Sequence, residues 1–147
     1  MSGLPGEPGA DGGSRRGAHR GTILLVDDEE PVREITALTL RDLGYDVVEA
    51  RDGLAALNLL DGDTRFDLLL LDFAMPGMNG VEVARAARSR RPQLPIMFLT
   101  GYAEAPAMAG ESKDRILQKP FRTEELARRL TAVLAPAHGS MASGARL

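Results

Sequence analysis

Four short apolar runs of this 147-residue chain end in groups that can do chemistry. Asp27 and Asp28 follow the run that opens at Thr22, and Asp72 follows four leucines. Thr100 follows Ile96-Met97-Phe98-Leu99, and Lys119 follows Ile116-Leu117-Gln118. If those runs lie side by side, three carboxylates converge. Crowded, unpaired carboxylates repel and raise one another's pKa, so such a cluster calls for a proton or a cation. A hard divalent ion, Mg²⁺ or alternatively Mn²⁺, suits an all-oxygen donor set, and Mg²⁺ keeps several waters, which leaves room for a phosphate. The hydroxyl of Thr100 and the ammonium of Lys119 are donors suited to phosphoryl oxygens. Each residue taken singly has a plainer explanation. Acidic residues favour helix starts, an Asp before a Met-Pro-Gly loop suits a turn, and a lysine is usually solvated. Their joint placement at the ends of apolar runs is what points to a site.

Those ends matter because of the elements that create them. Strands of a parallel sheet are buried on both faces and read as continuous apolar runs, and open α/β sheets bind ligands beyond the carboxyl ends of their strands. The pattern predicts strands over 22–26, 46–49, 67–71, 95–99 and 115–118. Between them it predicts helices over 31–43, 53–60, 81–90 and 123–134. Pro31 stands at a permissive first turn and Gly44 at a stop. Val32, Ile35, Leu38 and Leu43 are the expected buried stripe of the first helix, and Leu54, Leu57 and Leu60 the apolar positions of the second. Asn79 can cap the third, whose small apolar positions include Val81, Val83, Ala84 and Ala87, and Thr123 can cap the last. A weak helical segment fits 104–109. Lys119 follows Thr100 by only 19 positions, which include Pro106 and Gly110, so this fourth helix is expected to be short and poorly ordered. Five β/α units imply a doubly wound parallel sheet with right-handed crossovers and helices on both faces.

Composition excludes several classes. Without cysteine there are no disulfides, zinc–thiolate centres or thiol nucleophiles. No apolar run approaches the ~18 residues of a membrane span, and the arginines near the N-terminus precede no apolar signal region, so a cytoplasmic protein is expected. Residues 22–134 carry 14 basic against 19 acidic groups, a poor surface for nucleic acid. Residues 1–21 and 135–147 are rich in small and polar residues and are expected to be disordered tails, leaving one domain over 22–134.

The ordered set Leu24-Leu25-Val26-Asp27-Asp28, Asp72 through Gly80 with its Met75-Pro76-Gly77 loop, Thr100-Gly101 and Lys119-Pro120-Phe121 resembles the receiver domain of two-component response regulators. The resemblance spans about residues 22–134. It implies a flavodoxin-like α/β fold with strand order 2-1-3-4-5. It also implies that Asp72 is the phosphoacceptor, that Asp28, Asp72 and the Ala74 carbonyl bind Mg²⁺ directly, and that Asp27 holds a metal-bound water. Thr100 and Lys119 would contact the phosphoryl group, and the Lys119-Pro120 bond would be cis. The implied partners are a histidine kinase or histidine phosphotransfer protein and a downstream protein target, with no nucleic acid or membrane. A stand-alone receiver, monomeric or weakly dimeric, would signal through the face of its fourth helix, fifth strand and fifth helix. It would catalyse its own phosphorylation and slow dephosphorylation, and would not be a metabolic enzyme.

Two departures from that pattern stand out. Receivers usually carry Tyr or Phe three residues before the lysine, where this chain has Ile116. A branched aliphatic cannot swing a polar ring in and out, so the usual aromatic switch is missing, with Tyr102 and Phe98 as the nearest substitutes. The stretch from Pro95 to Tyr102 partly resembles a receiver subgroup with a P-F-x-F-A-T-G-[GY] motif, and the similarity extends to receivers of hybrid histidine kinases; Phe98 is expected to be plain core. Two other functions compete: a pseudo-receiver that only binds partners, and a metal-dependent phosphohydrolase with an aspartyl nucleophile. The intact five-residue set argues against the first, and the adjacent Asp27 and Asp28, lacking D-x-D spacing, against the second.

Overall fold

The computed structural model describes residues 20–75, 77–101 and 115–146, with side chains through 134. The described strands are β1 (Thr22–Val26), β2 (Asp46–Ala50), β3 (Leu68–Asp72), β4 (Ile96–Thr100) and β5 (Ile116–Gln118). The helices are α1 (Glu30–Asp42), α2 (Gly53–Leu60), α3 (Gly80–Arg90) and α4 (Thr123–Arg146). The strands form one parallel sheet in the order β2-β1-β3-β4-β5. This is the flavodoxin-like order expected.

Strand side chains alternate between faces, so the sheet separates two cores. Leu24, Val26, Leu69, Leu71, Ile96 and Phe98 pack on one face with Ala56, Leu57, Val83, Ala84 and Ala87 of α2 and α3. Ile23, Leu25, Leu68, Leu70, Met97 and Leu99 pack on the other with Ala37 and Leu40 of α1 and Leu126 and Leu130 of α4. Burial on both sides is why these strands are apolar at nearly every position. Phe98 is fully buried and aligned with Ile116 of β5, as plain core. That neighbour is itself tied to α4, because Arg129 Nη1 donates to the Ile116 carbonyl at 2.7 Å.

The expected stripe of α1 holds at Leu43, which is half-buried against the second core, and requires correction at its other three positions. Ile35 and Leu38 are 65% and 61% exposed and Val32 is also exposed, whereas Thr36, Ala37 and Leu40 are buried. The physical reason is visible one turn earlier. Positions 33, 36, 37 and 40 form a single helical face, and its first member is the mostly buried Arg33. A charge and two small residues on the inner face disguised it, while larger apolar residues marked the outer one. On α2, Leu57 and Leu60 are buried, but Leu54 is 68% exposed because Gly53 and Ala56 supply the close contacts. The last helix also departs from expectation. It continues past 134 to Arg146, through a stretch expected as a tail, and Thr123 is its first residue. That stretch mixes Ala135, Ala137, Ala142 and Ala145 with Pro136, Gly139 and Gly144, the residue types least favourable inside a helix, which is why it reads as a tail in the sequence. Of the expected tail over 1–21, residues 1–19 lie outside the described residues, as do the helical segment over 104–109 and Tyr102, whereas Arg20 N–H donates to the Gly44 carbonyl and the Gly21 carbonyl accepts from Asp46 N–H.

Candidate functional site

Every group singled out by its place after an apolar run lies at the carboxyl edge of the sheet. Asp27 follows β1 directly and is fully buried, Asp28 is half-buried, and Asp72 and Thr100 are the buried last residues of β3 and β4. Lys119 follows β5, and its backbone N–H donates to the Thr100 carbonyl at 2.8 Å. The next peptide, Lys119-Pro120, is cis.

Parallel register brings these ends together. Val26 pairs with Leu71, and Asp72 with Leu99, so β1, β3 and β4 finish at one level. Carboxylate oxygens of Asp27, Asp28 and Asp72 lie within 4.8 Å of one another. Lys119 Nζ reaches across to Asp72 Oδ1 at 3.3 Å.

The loop after Asp72 is shaped by two glycines. Gly77 has φ +84°, a left-handed conformation that glycine adopts without strain. Gly80 N–H donates to the Phe73 carbonyl at 2.9 Å, and a Cβ there would lie 2.8 Å from Phe73 Cα. The loop thus folds tightly against the residue after Asp72. Asn79 then caps α3 as expected, in a reciprocal capping box with Glu82.

Electrostatically the cluster is under-compensated. Burial raises the pKa of Asp72 from 3.8 to about 6; the Lys119 ammonium opposes that shift, Asp27 adds to it, and the Ala74 backbone N–H opposes it. Among the described residues, the Lys119 ammonium stands against the three carboxyl groups of the cluster. Asp27 shows the same shortage at atomic scale. Its Oδ1 accepts from the Glu29 backbone N–H at 3.0 Å, but its buried Oδ2 has no hydrogen-bond partner among the described residues. A buried carboxylate oxygen without a partner is costly, and an oxygen-seeking cation is the group that would satisfy it. The donor set therefore fits Mg²⁺, a hard ion bound by one or two carboxylates plus waters and phosphate oxygens.

Sequence reasoning missed Arg33 and Glu49. Arg33 Nη1 donates to the Asp27 carbonyl at 2.8 Å, and its Nε to Glu49 Oε1 of β2 at 3.0 Å. The available signal was a charge at helical spacing from Thr36, Ala37 and Leu40.

Comparison with known proteins agrees with this geometry. The family described as response regulator receiver domain matches residues 23–131. Response regulator MprA of Mycobacterium avium is 43% identical over 115 residues, covering 76% of this chain and 50% of that protein. The chain thus spans about half the length of the curated relatives it matches. Among solved structures, the Vibrio cholerae chemotaxis protein CheY4 is 36% identical with a TM-score of 0.68, covering 77% of this chain and 98% of its own. The receiver domain of the Pseudomonas aeruginosa sensor histidine kinase PA1611 is 29% identical with a TM-score of 0.71, covering 78% of this chain and 98% of its own. That structure has a magnesium ion coordinated in its active-site cleft. Fold, matched residues and close relatives agree: this chain belongs to the response regulator receiver domain family.

Proposed function

We propose that this domain accepts a phosphoryl group on Asp72 from a histidine kinase or a histidine phosphotransfer protein. The observation that carries this reading is the buried Asp72 carboxylate, set among two further carboxylates and 3.3 Å from Lys119. Asp28, Asp72 and the Ala74 carbonyl would hold Mg²⁺, with Asp27 Oδ2 turned toward it through water. When bound, the ion neutralises charge on the phosphoryl oxygens.

The residues of the chain do the rest. The carboxylate of Asp72 attacks phosphorus, the P–N bond of the donor phosphohistidine breaks, and the imidazole leaves with the bonding pair as an acyl phosphate forms. Lys119 and Thr100 then serve the transferred group, the first by charge and the second by a hydroxyl hydrogen bond. Lys119 gives up its contact with a carboxylate oxygen and gains one with a more highly charged phosphoryl group. Later hydrolysis of the acyl phosphate resets the domain. Output passes by protein contact through the face that includes β5 and α4.

Incubation with acetyl phosphate and Mg²⁺ tests this directly. The wild-type chain should gain one phosphoryl group by intact-mass spectrometry, and Asp72→Asn should gain none. Equal labelling of the two proteins would remove Asp72 as the acceptor.

A further inference from the structure

Arg33 occupies a place in α1 where burial normally selects an apolar side chain. It begins the inward face that continues through Thr36, Ala37 and Leu40, and its side chain is only 13% exposed. Charged side chains are seldom buried unless paired. Arg33 is paired twice, to the Asp27 carbonyl and to Glu49, whose other oxygen lies 3.5 Å from Arg41 Nη2. One guanidinium therefore ties the end of β1, the start of α1 and the edge strand β2.

The accepting atom is what gives this contact a use. The Asp27 carbonyl belongs to the peptide unit that joins Asp27 to Asp28, and a peptide unit is planar. Fixing its oxygen fixes the plane from which both side chains depart. The neighbouring peptide groups are already tied, because Asp27 N–H donates to the Ala50 carbonyl at 3.1 Å and Glu29 N–H to Asp27 Oδ1 at 3.0 Å. The Asp27 carbonyl lies beyond the end of β1, and Arg33 supplies its donor. Asp27 Oδ2 then remains without a hydrogen-bond partner among the described residues.

We propose that Arg33 is a positioning residue for the acid pair, holding the Asp27–Asp28 peptide in the plane that lets both carboxylates serve a divalent cation. Glu49 holds the guanidinium in turn. The inference rests on reading Asp27, Asp28 and Asp72 as the cation site. Arg33 touches neither the cation nor the phosphoryl group. Lysine cannot replace it fully, since one ammonium lacks the planar fork that serves a carbonyl and a carboxylate together.

Calorimetric titration with Mg²⁺ alone tests the idea, alongside the Asp28 amide chemical shift measured without metal. Arg33→Met should weaken Mg²⁺ binding by about tenfold or more and move the Asp28 amide, and Arg33→Lys should recover part of the affinity. Arg90→Met, which breaks the remote Arg90–Asp61 pair, should leave Mg²⁺ affinity unchanged. Affinity of Arg33→Met within about twofold of wild type overturns the proposal, as does an equal loss in Arg90→Met. Should Arg33→Met not fold, Arg33→Lys decides, and wild-type affinity in that variant overturns the proposal. If the wild-type chain itself binds no Mg²⁺, the cation site falls and this proposal with it, whereas binding that ignores Arg33 removes the positioning role alone.

Discussion

Lys119 Nζ stands 3.3 Å from Asp72 Oδ1 although the strands that carry them are not neighbours, with β4 lying between β3 and β5. The lysine crosses the end of an intervening strand to reach a carboxylate that burial makes reluctant to ionise. Its attraction does not win: the pKa of Asp72 remains raised, at about 6. Removing a proton from Asp72 is therefore an energetic event for the whole fold.

That event should be visible in stability against pH. Because the folded chain binds the Asp72 proton more tightly than the unfolded chain, its contribution to stability is complete below 3.8 and is lost as pH rises through about 6. Asp72→Asn escapes this loss. Without divalent cations, it should become more stable than wild type across that window, by about 1 to 2 kcal/mol above it once the unpaired Lys119 is allowed for. Urea denaturation at about pH 4 and about pH 8 in EDTA measures the difference, and a gap independent of pH would contradict the prediction.

Divalent cation should reverse part of that penalty. A ligand that binds only the folded state stabilises it by roughly 2.7 kcal/mol at one hundred times its dissociation constant. Thermal denaturation should therefore shift upward with Mg²⁺ in wild type and much less in Asp28→Asn, and chelation should undo the shift. Equal responses from both proteins would remove Asp28 from the ligand set.

The rotation of α1 gives a test away from the site. Leu40 is fully buried and Ile35 is 65% exposed, so Leu40→Ala should cost about 2 to 5 kcal/mol and Ile35→Ala less than about 1 kcal/mol. Chemical denaturation of both variants checks this. Comparable losses would mean that Ile35 is covered in solution.

How legible the molecule was in its sequence follows from the same helix. The acid pair, Asp72, Thr100 and Lys119 could be located because strands buried on both faces leave unbroken apolar runs, and a charge at the end of such a run has nowhere to hide. Strand order followed from family resemblance, since hydropathy says nothing about which strands are adjacent. The inner face of α1 was not legible. Periodicity identifies faces but does not rank them, and small residues such as Ala37 contribute close approach where hydropathy counts size. Arg33 was invisible for the same reason, because its buried position becomes evident only once the helix is oriented against β1 and β2.

Close approach also governs Gly80. A methyl group there would meet Phe73 Cα at 2.8 Å, a backbone atom that cannot turn aside. Alanine gains up to about 1 kcal/mol of helix propensity over glycine, but overpacking costs about 1 to 3 kcal/mol, so Gly80→Ala should be net destabilising. A raised urea midpoint would show that the loop after Asp72 yields more readily than its packing implies.

Two bonds at the ends of β5, added to its ladder with β4, have a consequence for position 116. The strand is three residues long; the residue after it is fastened to Thr100 through a backbone hydrogen bond, and its first carbonyl is fastened to α4 through Arg129. Such a short segment, extended and gripped at both ends, has little slack. Because the grip on α4 is made by the Ile116 carbonyl and not by its side chain, the tie between β5 and the helix needs no ring at that position.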